Sequence, residues 1–263
     1  MVHTMHSLVG RVLLMTLRST SKALLVLAGL QVAASSAACA QHLHGVLELF
    51  TSQGCSSCPP ADALAAKFAH DPELLVLSFP VDYWDYIGWK DTLASPANSA
   101  RQTNYCRARS DSGVYTPQVV VDGLAAAVGS EAGEIESAVA TAARRSGSLS
   151  VDLKLSESAD KLHVDIGAAA GDAPRTAGVW LARIARAVTV AIGRGENAGH
   201  TVTYTNVVRQ LTKIGEWTGK ETAIEIPLAN AHENDNDAYA VLLQAGTSSR
   251  PGAILGAAKS EGL

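Results

Sequence analysis

The segment Cys55-Ser56-Ser57-Cys58, followed at once by Pro59-Pro60, stands between two runs of opposite character. Gly45-Val46-Leu47-Glu48-Leu49-Phe50 before it reads as a strand, and Ala61 to Ala69 after it reads as a helix. A strand-to-helix corner holds two cysteines close together, so they can close a small ring with little rearrangement of the chain. It also sets them at a helix N-terminus, where the thiolate, the reactive form of cysteine, is favoured. The corner therefore suits a thiol–disulfide redox pair. Cys55 would be the attacking thiolate and Cys58 the resolving thiol.

Other uses of the motif are weaker. A zinc site needs two more ligands at suitable spacing, and neither a second CxxC nor a suitably spaced histidine pair follows. An inert disulfide stays open as a reading, but so short a loop constrains little of the unfolded chain.

The chain has 263 residues, 47% hydrophobic and 17% charged, as suits a folded protein rather than a disordered one. Its net charge of −4 argues against a nucleic-acid partner. The first 40 residues form a block of their own. Arg11, Arg18 and Lys22 precede the apolar run Ala23 to Ala34, and Ala38-Cys39-Ala40 follows as a small-x-small cleavage site. This predicts a signal peptide over residues 1–40, cleaved after Ala40, and a secreted or periplasmic protein. A lipid-bearing Cys39 is the rival. Cleavage would leave Cys55, Cys58 and Cys106, and an oxidising compartment permits a disulfide between the first two. Cys106, in a helical stretch where Ala would serve by volume, reads as a buried structural thiol.

Up to residue 146 the pattern alternates strands and helices. Leu74 to Phe79 is a continuous apolar run, as for a strand buried on both faces. Asp82 to Ser95 is an aromatic-rich loop. Pro96 to Arg109 is a helix with proline in its first turn. Val119 to Gly123 is a strand entering a turn, and Ala132 to Arg145 is a helix. From residue 147 the pattern becomes period two, in Leu149–Leu155, Leu162–Ile166 and Ala223–Ile226. With Val179–Ile184, Val188–Ile192 and Tyr239–Leu243, this predicts an all-β sandwich. The boundaries expected are 41–146 for the α/β domain and 147–263 for the sandwich.

Three features near the CxxC strengthen a redox reading. Thr116-Pro117 precedes a strand, and a cis bond there would set a backbone edge beside the cysteines. Glu48 lies among apolar neighbours; buried, it would have a raised pKa and could relay the proton of the second thiol. Tyr83, Trp84, Tyr86 and Trp89 crowd one short loop. Tyr83, Trp84 and Trp89, with Thr116, are read as the wall of a substrate cleft. Gly193-Arg194-Gly195-Glu196-Asn197 reads as a tight turn between strands, or as a polar loop reaching toward the cysteines. His42 and His44 open the mature chain; with Cys55 and Cys58 they could complete a copper site of mixed thiolate and imidazole type.

Several long runs resemble one family. Glu48 to Asp62, Val81 to Lys90, Val114 to Gln118, Gly193 to Asn197 and Thr203 to Val208 look like the secreted bacterial proteins of the domain-of-unknown-function 1223 (DUF1223) family. The likeness spans nearly all of the mature chain. It implies a thioredoxin-like N-terminal domain and supplies no established reaction. Pro80 departs from it, where a histidine is expected.

The resulting expectation is an α/β thioredoxin-like domain followed by an all-β sandwich-like domain, acting as an exported thiol–disulfide oxidoreductase. It calls for no organic cofactor and for a protein thiol or disulfide partner. A carrier of Cu(I) and a non-catalytic binding module stand as alternatives.

Overall fold

A computed structural model describes residues 42–171, 173–232 and 236–263. They fall within one compact unit, Ala38–Leu263. The expected signal peptide, its cleavage site and Cys39 lie outside the described residues.

The chain opens with strand β1 (Gly45–Thr51), helix α1 (Pro59–Phe68), β2 (Leu74–Pro80) and α2 (Pro96–Arg109). Strands β3 (Gln118–Val121) and β4 (Ala125–Val128) and helix α3 (Ala132–Ala142) complete the first part. The rest is built of β5 (Leu153–Glu157), β6 (Lys161–Ile166), β7 (Ala177–Ala191), β8 (Thr201–Trp217), β9 (Thr222–Pro227), β10 (Ala238–Thr247) and β11 (Arg250–Lys259). Helix α2 starts for local reasons: the Ser95 side chain accepts the Asn98 amide at 3.3 Å, and Pro96 fills a position whose N–H would have no partner.

The strands assemble into two sheets. One has eight strands in the order β11-β10-β7-β8-β2-β1-β3-β4, and the other has three, β5-β6-β9. This overturns the expected thioredoxin-like domain followed by a separate sandwich. Four of the late strands join the sheet begun by β1 and β2, and only β5, β6 and β9 stand apart. The join is between β2 and β8, which run parallel with Ser78 opposite Val207. Ser78 Oγ donates to the Thr205 carbonyl at 2.7 Å, and Asn206 Nδ2 donates to the Val76 carbonyl at 3.0 Å. Asn206 holds a left-handed backbone (φ +49°), which lets its amide side chain turn in to replace ladder bonds.

Apolar burial explains why the two parts merge. Phe50, Phe79 and Tyr105 share one core with Ala182, Ile184, Ala240, Leu242 and Ile254. The Phe50 and Phe79 rings stack at 5.5 Å. Each large side chain so buried contributes about 1.5–3 kcal/mol, and neither half alone would cover them. On the other face of β1, Leu47 and Leu49 pack with Ala61 and Ala65 of α1 and with Ile135 and Ala138 of α3. The small sheet covers the face of β10 that carries Val241 and Leu243.

Candidate functional site

Strand β1 ends at Thr51, and the turn that follows leads to Cys55 and into α1. Cys55 and Cys58 form a disulfide with Cα atoms 5.4 Å apart. Cys58 caps the helix: its carbonyl accepts the amides of Ala61 at 2.9 Å and Asp62 at 3.0 Å. Both cysteines are enclosed, Cys55 at 1% and Cys58 at 0% exposure, whereas Ser56 and Ser57 between them are exposed. Ser57 Oγ lies 3.3 Å from Cys55 Sγ and 3.5 Å from the Thr116 carbonyl, so it bridges the disulfide to the next segment. The Thr116–Pro117 bond is cis.

The helix start offers fewer donors than the sequence suggests. Pro59 and Pro60 carry no N–H, and the next two amides already bond Cys58. Stabilisation of a Cys55 thiolate falls to the amides of the turn itself.

Surrounding side chains fix that turn from several sides. Asp91 Oδ2 accepts the Gln53 amide at 2.8 Å, and Trp89 Nε1 donates to Gln53 Oε1 at 2.7 Å. Trp84 Nε1 donates to Thr116 Oγ1 at 2.7 Å. Tyr83 OH donates to Gln102 Oε1 at 3.1 Å, and burial pushes that phenol up to about 12. Trp84 and Trp89 thus hold their neighbours with the indole N–H and stay half-buried. Tyr86 stacks on Trp84 at 6.3 Å and is 80% exposed. Tyr86, Val114 and Tyr115 are the exposed large apolar side chains among the described residues, and all flank this corner.

The Gly193–Asn197 segment reaches the cysteines from the turn between β7 and β8. Asn197 Nδ2 donates to the carbonyls of Gln53 at 2.9 Å and Cys55 at 2.8 Å, and Glu196 Oε2 accepts the Ser56 amide at 3.2 Å. The glycines permit this approach. A side chain on Gly193 would begin 3.2 Å from the Trp89 ring; Gly195 has φ +80° and equally little room against Trp89.

Glu48 is fully buried but engaged elsewhere. It shares the face of β1 that carries Val46 and Phe50, opposite the face that packs on α1. Arg101 pairs with its Oε1 at 2.7 Å, and Tyr105 OH donates to its Oε2. Gln244 Nε2 donates to the same Tyr105 oxygen at 2.6 Å. Burial alone would lower the Arg101 guanidinium, but the Glu48 carboxylate outweighs it and holds it above its ordinary value. Both Glu48 oxygens are therefore held by α2 rather than presented to Cys58.

A buried acid does follow the cysteines on α1: Asp62. Cys58, Ala61, Asp62 and Ala65 form the buried stripe of α1, and Asp62 sits one turn from Cys58 on that stripe. It is 3% exposed. Thr51 Oγ1 donates to Asp62 Oδ1 at 2.7 Å, while Oδ2 has no partner. Burial, against the Thr51 hydrogen bond and with Asp91 adding its charge, pushes this carboxyl up to about 7. Sequence reasoning passed over it because an acid in a first helical turn is ordinarily there for the helix dipole.

The histidine pair takes no part. His42 and His44 precede β1, whose seven residues put them roughly 20 Å from the end that carries the cysteines. His44 pairs with Glu73 at 3.0 Å. The mixed copper site is thereby corrected; among the described residues no cluster of three or more His, Cys, Asp or Glu is placed to hold a metal. Cys106 is free and buried, and burial followed by the Asp111 charge pushes its thiol up.

Fold and site define a disulfide-bearing protein built on a mixed, mostly β sheet. A family model described as "Protein of unknown function (DUF1223)" matches residues 46–244, and the chain belongs to that family. A crystal structure of a protein from Agrobacterium tumefaciens is 36% identical, covers 84% of this chain and 95% of its own, and superposes with a TM-score of 0.74. HBP35 of Porphyromonas gingivalis has a TM-score of 0.51 at 14% identity over 82% of this chain and 74% of its own, a likeness of fold alone. No curated protein matches the chain.

Proposed function

We propose that this protein is an exported thiol–disulfide oxidoreductase working through Cys55 and Cys58. One observation carries the reading: a disulfide at the head of α1 has a buried acid, Asp62, one helical turn below it with a free carboxyl oxygen and a pKa near neutrality. A purely mechanical clip has no use for such an acid, which costs stability by being buried. The export part rests on the N-terminal sequence.

The chemistry starts from the oxidised pair. A thiolate of the partner attacks Cys55 Sγ, the Cys55–Cys58 bond breaks, and a mixed disulfide forms between Cys55 and the partner. The electron pair leaves on Cys58 Sγ, which takes the proton held by Asp62. A second thiolate of the partner then attacks the partner's own sulfur in the mixed disulfide and frees Cys55. The partner loses two electrons and closes a disulfide, and the cysteine pair gains them. In reverse the same steps reduce a partner disulfide, with Asp62 taking the Cys58 proton. Displacement of the Ser57 bridge to Thr116 opens Cys55 Sγ to attack. Tyr86, Val114 and Tyr115, with Trp84 and Thr116 behind them, form the apolar ledge against which a partner segment lies.

A second reading has the enclosure of the sulfurs in its favour: a disulfide this buried can serve as a clip. One experiment separates the two. Purified Cys58→Ser protein, given oxidised glutathione, is expected to hold one glutathione per chain on Cys55, found by peptide mass mapping. A chain that stays unmodified while folded, or is modified on Cys106 instead, overturns the oxidoreductase reading.

A further inference from the structure

The turn between β7 and β8 places a carboxylate on the amide that directly follows Cys55. Pro59 and Pro60 remove the donors of the first two helical positions, and the amides of Ala61 and Asp62 bond the Cys58 carbonyl. Within the turn, Ser56 N–H directly follows Cys55, and Glu196 Oε2 occupies it at 3.2 Å. Asn197, buried and bonded to two carbonyls of the same turn, fixes Glu196 there.

We infer that Glu196 is a positioning residue that sets the redox strength of the Cys55–Cys58 pair, holding it toward the reducing end. This deepens the oxidoreductase reading and rests on it. A negative charge beside the turn opposes a second one on Cys55, and it engages an amide of the turn that carries the thiolate. A dithiol whose thiolate is disfavoured keeps its reduced form less stable, so its disulfide is a weaker oxidant. The other acids around the turn are Asp62 on α1 and Asp85 and Asp91 in the loop after β2; Arg194 is exposed on the turn of Glu196 itself. All are kept in the test, so a change reports on Glu196.

The test compares Glu196→Gln with the parent, both carrying Cys106→Ala so that only the pair titrates. The amide keeps an acceptor for Ser56 N–H and removes the charge. In the reduced protein, thiolate absorbance followed against pH is expected to place the Cys55 titration about half a unit to one unit lower in Glu196→Gln. Equilibration with glutathione buffers should favour the reduced protein three- to tenfold more than in the parent, tenfold being about 30 mV for a two-electron couple. Added salt should shrink the difference, because Glu196 is exposed and its charge is screened. A pair that cycles in both proteins with the same titration and an equilibrium within twofold overturns the role of Glu196 and leaves the oxidoreductase reading standing. A pair that is reduced in neither while the chain is folded overturns both.

Discussion

Asp62 and Glu48 are both buried carboxylates, on α1 and β1, and their surroundings separate their work. Glu48 is held by Arg101 and Tyr105, so its charge is balanced in place. Asp62 has one neutral donor, Thr51, and a free oxygen, so burial raises it from 3.8 to about 7. The sign of its effect on stability follows. Below about pH 4 the carboxyl is protonated in both folded and unfolded chains and costs nothing. As pH rises toward 7 the unfolded chain ionises first, and stability falls. Above about 7 both are ionised and the loss is complete, of the order of 4 kcal/mol. Asp62→Asn should therefore be the more stable protein at pH 8, with the advantage vanishing near pH 4, measured by urea unfolding across that range. The same variant should slow disulfide exchange about tenfold or more near pH 7, as loss of a positioned acid–base group does. Equal stability at all pH values would mean that Asp62 is ionised and solvated. None of this was readable from the residue itself, because burial of a helix-head acid depends on what the rest of the sheet sets over it.

At the scale of elements, helix α2 and the β7–β8 turn brace the corner between β1 and α1, and they differ in how far the sequence announces them. Pro96 at the first helical position and Ser95 as cap mark α2, and its expected span is the one observed. The strand β8 lacks a clean alternation: its register against β7 shifts at Arg209 and again at Ile214, and Thr, Arg and Lys recur along its exposed stretches. Strand β11 opens on Arg250-Pro251-Gly252, which reads as a turn. β8 joins the late strands to β2 and β11 is the sheet's edge, so missing β8 hid the merger of the two halves. What pins α2 to that sheet is polar. Arg101 bonds Glu48 on β1 at 2.8 Å and Gln244 on β10 at 3.1 Å. Replacing it by a side chain of like length without charge strands a buried carboxylate. Arg101→Met should cost about 3–5 kcal/mol in chemical unfolding. A loss below 1 kcal/mol would show that Glu48 is neutral in the folded chain and needs no partner.

At the scale of the molecule, local reading succeeded where strands were continuous apolar runs and failed where the assembly decides. Leu162-His163-Val164-Asp165-Ile166 alternates as a sandwich strand would, and it does lie in a separate small sheet. Tyr239 to Leu243 is a continuous apolar run instead, and it belongs to the eight-stranded sheet, where both of its faces are covered. The cores on the two faces of that sheet give the CxxC corner a base built from residues other than the cysteines. Phe50, Phe79 and Tyr105 pack on one another and on the late strands, and neither sulfur belongs to their core. Reduction of the pair should accordingly leave the fold intact, and reduction and fold can be read in one titration.

The most direct test of the redox assignment is therefore the equilibrium of the Cys55–Cys58 disulfide with graded glutathione and dithiothreitol buffers, followed by alkylation mass shift, with far-ultraviolet circular dichroism recorded on the same samples. A redox-active pair should give a reversible two-electron transition with a midpoint between roughly −120 and −270 mV, the range of working dithiol proteins, and an unchanged spectrum through it. A pair that yields only below about −300 mV, or only as the spectrum collapses, would be a structural disulfide and would contradict the account.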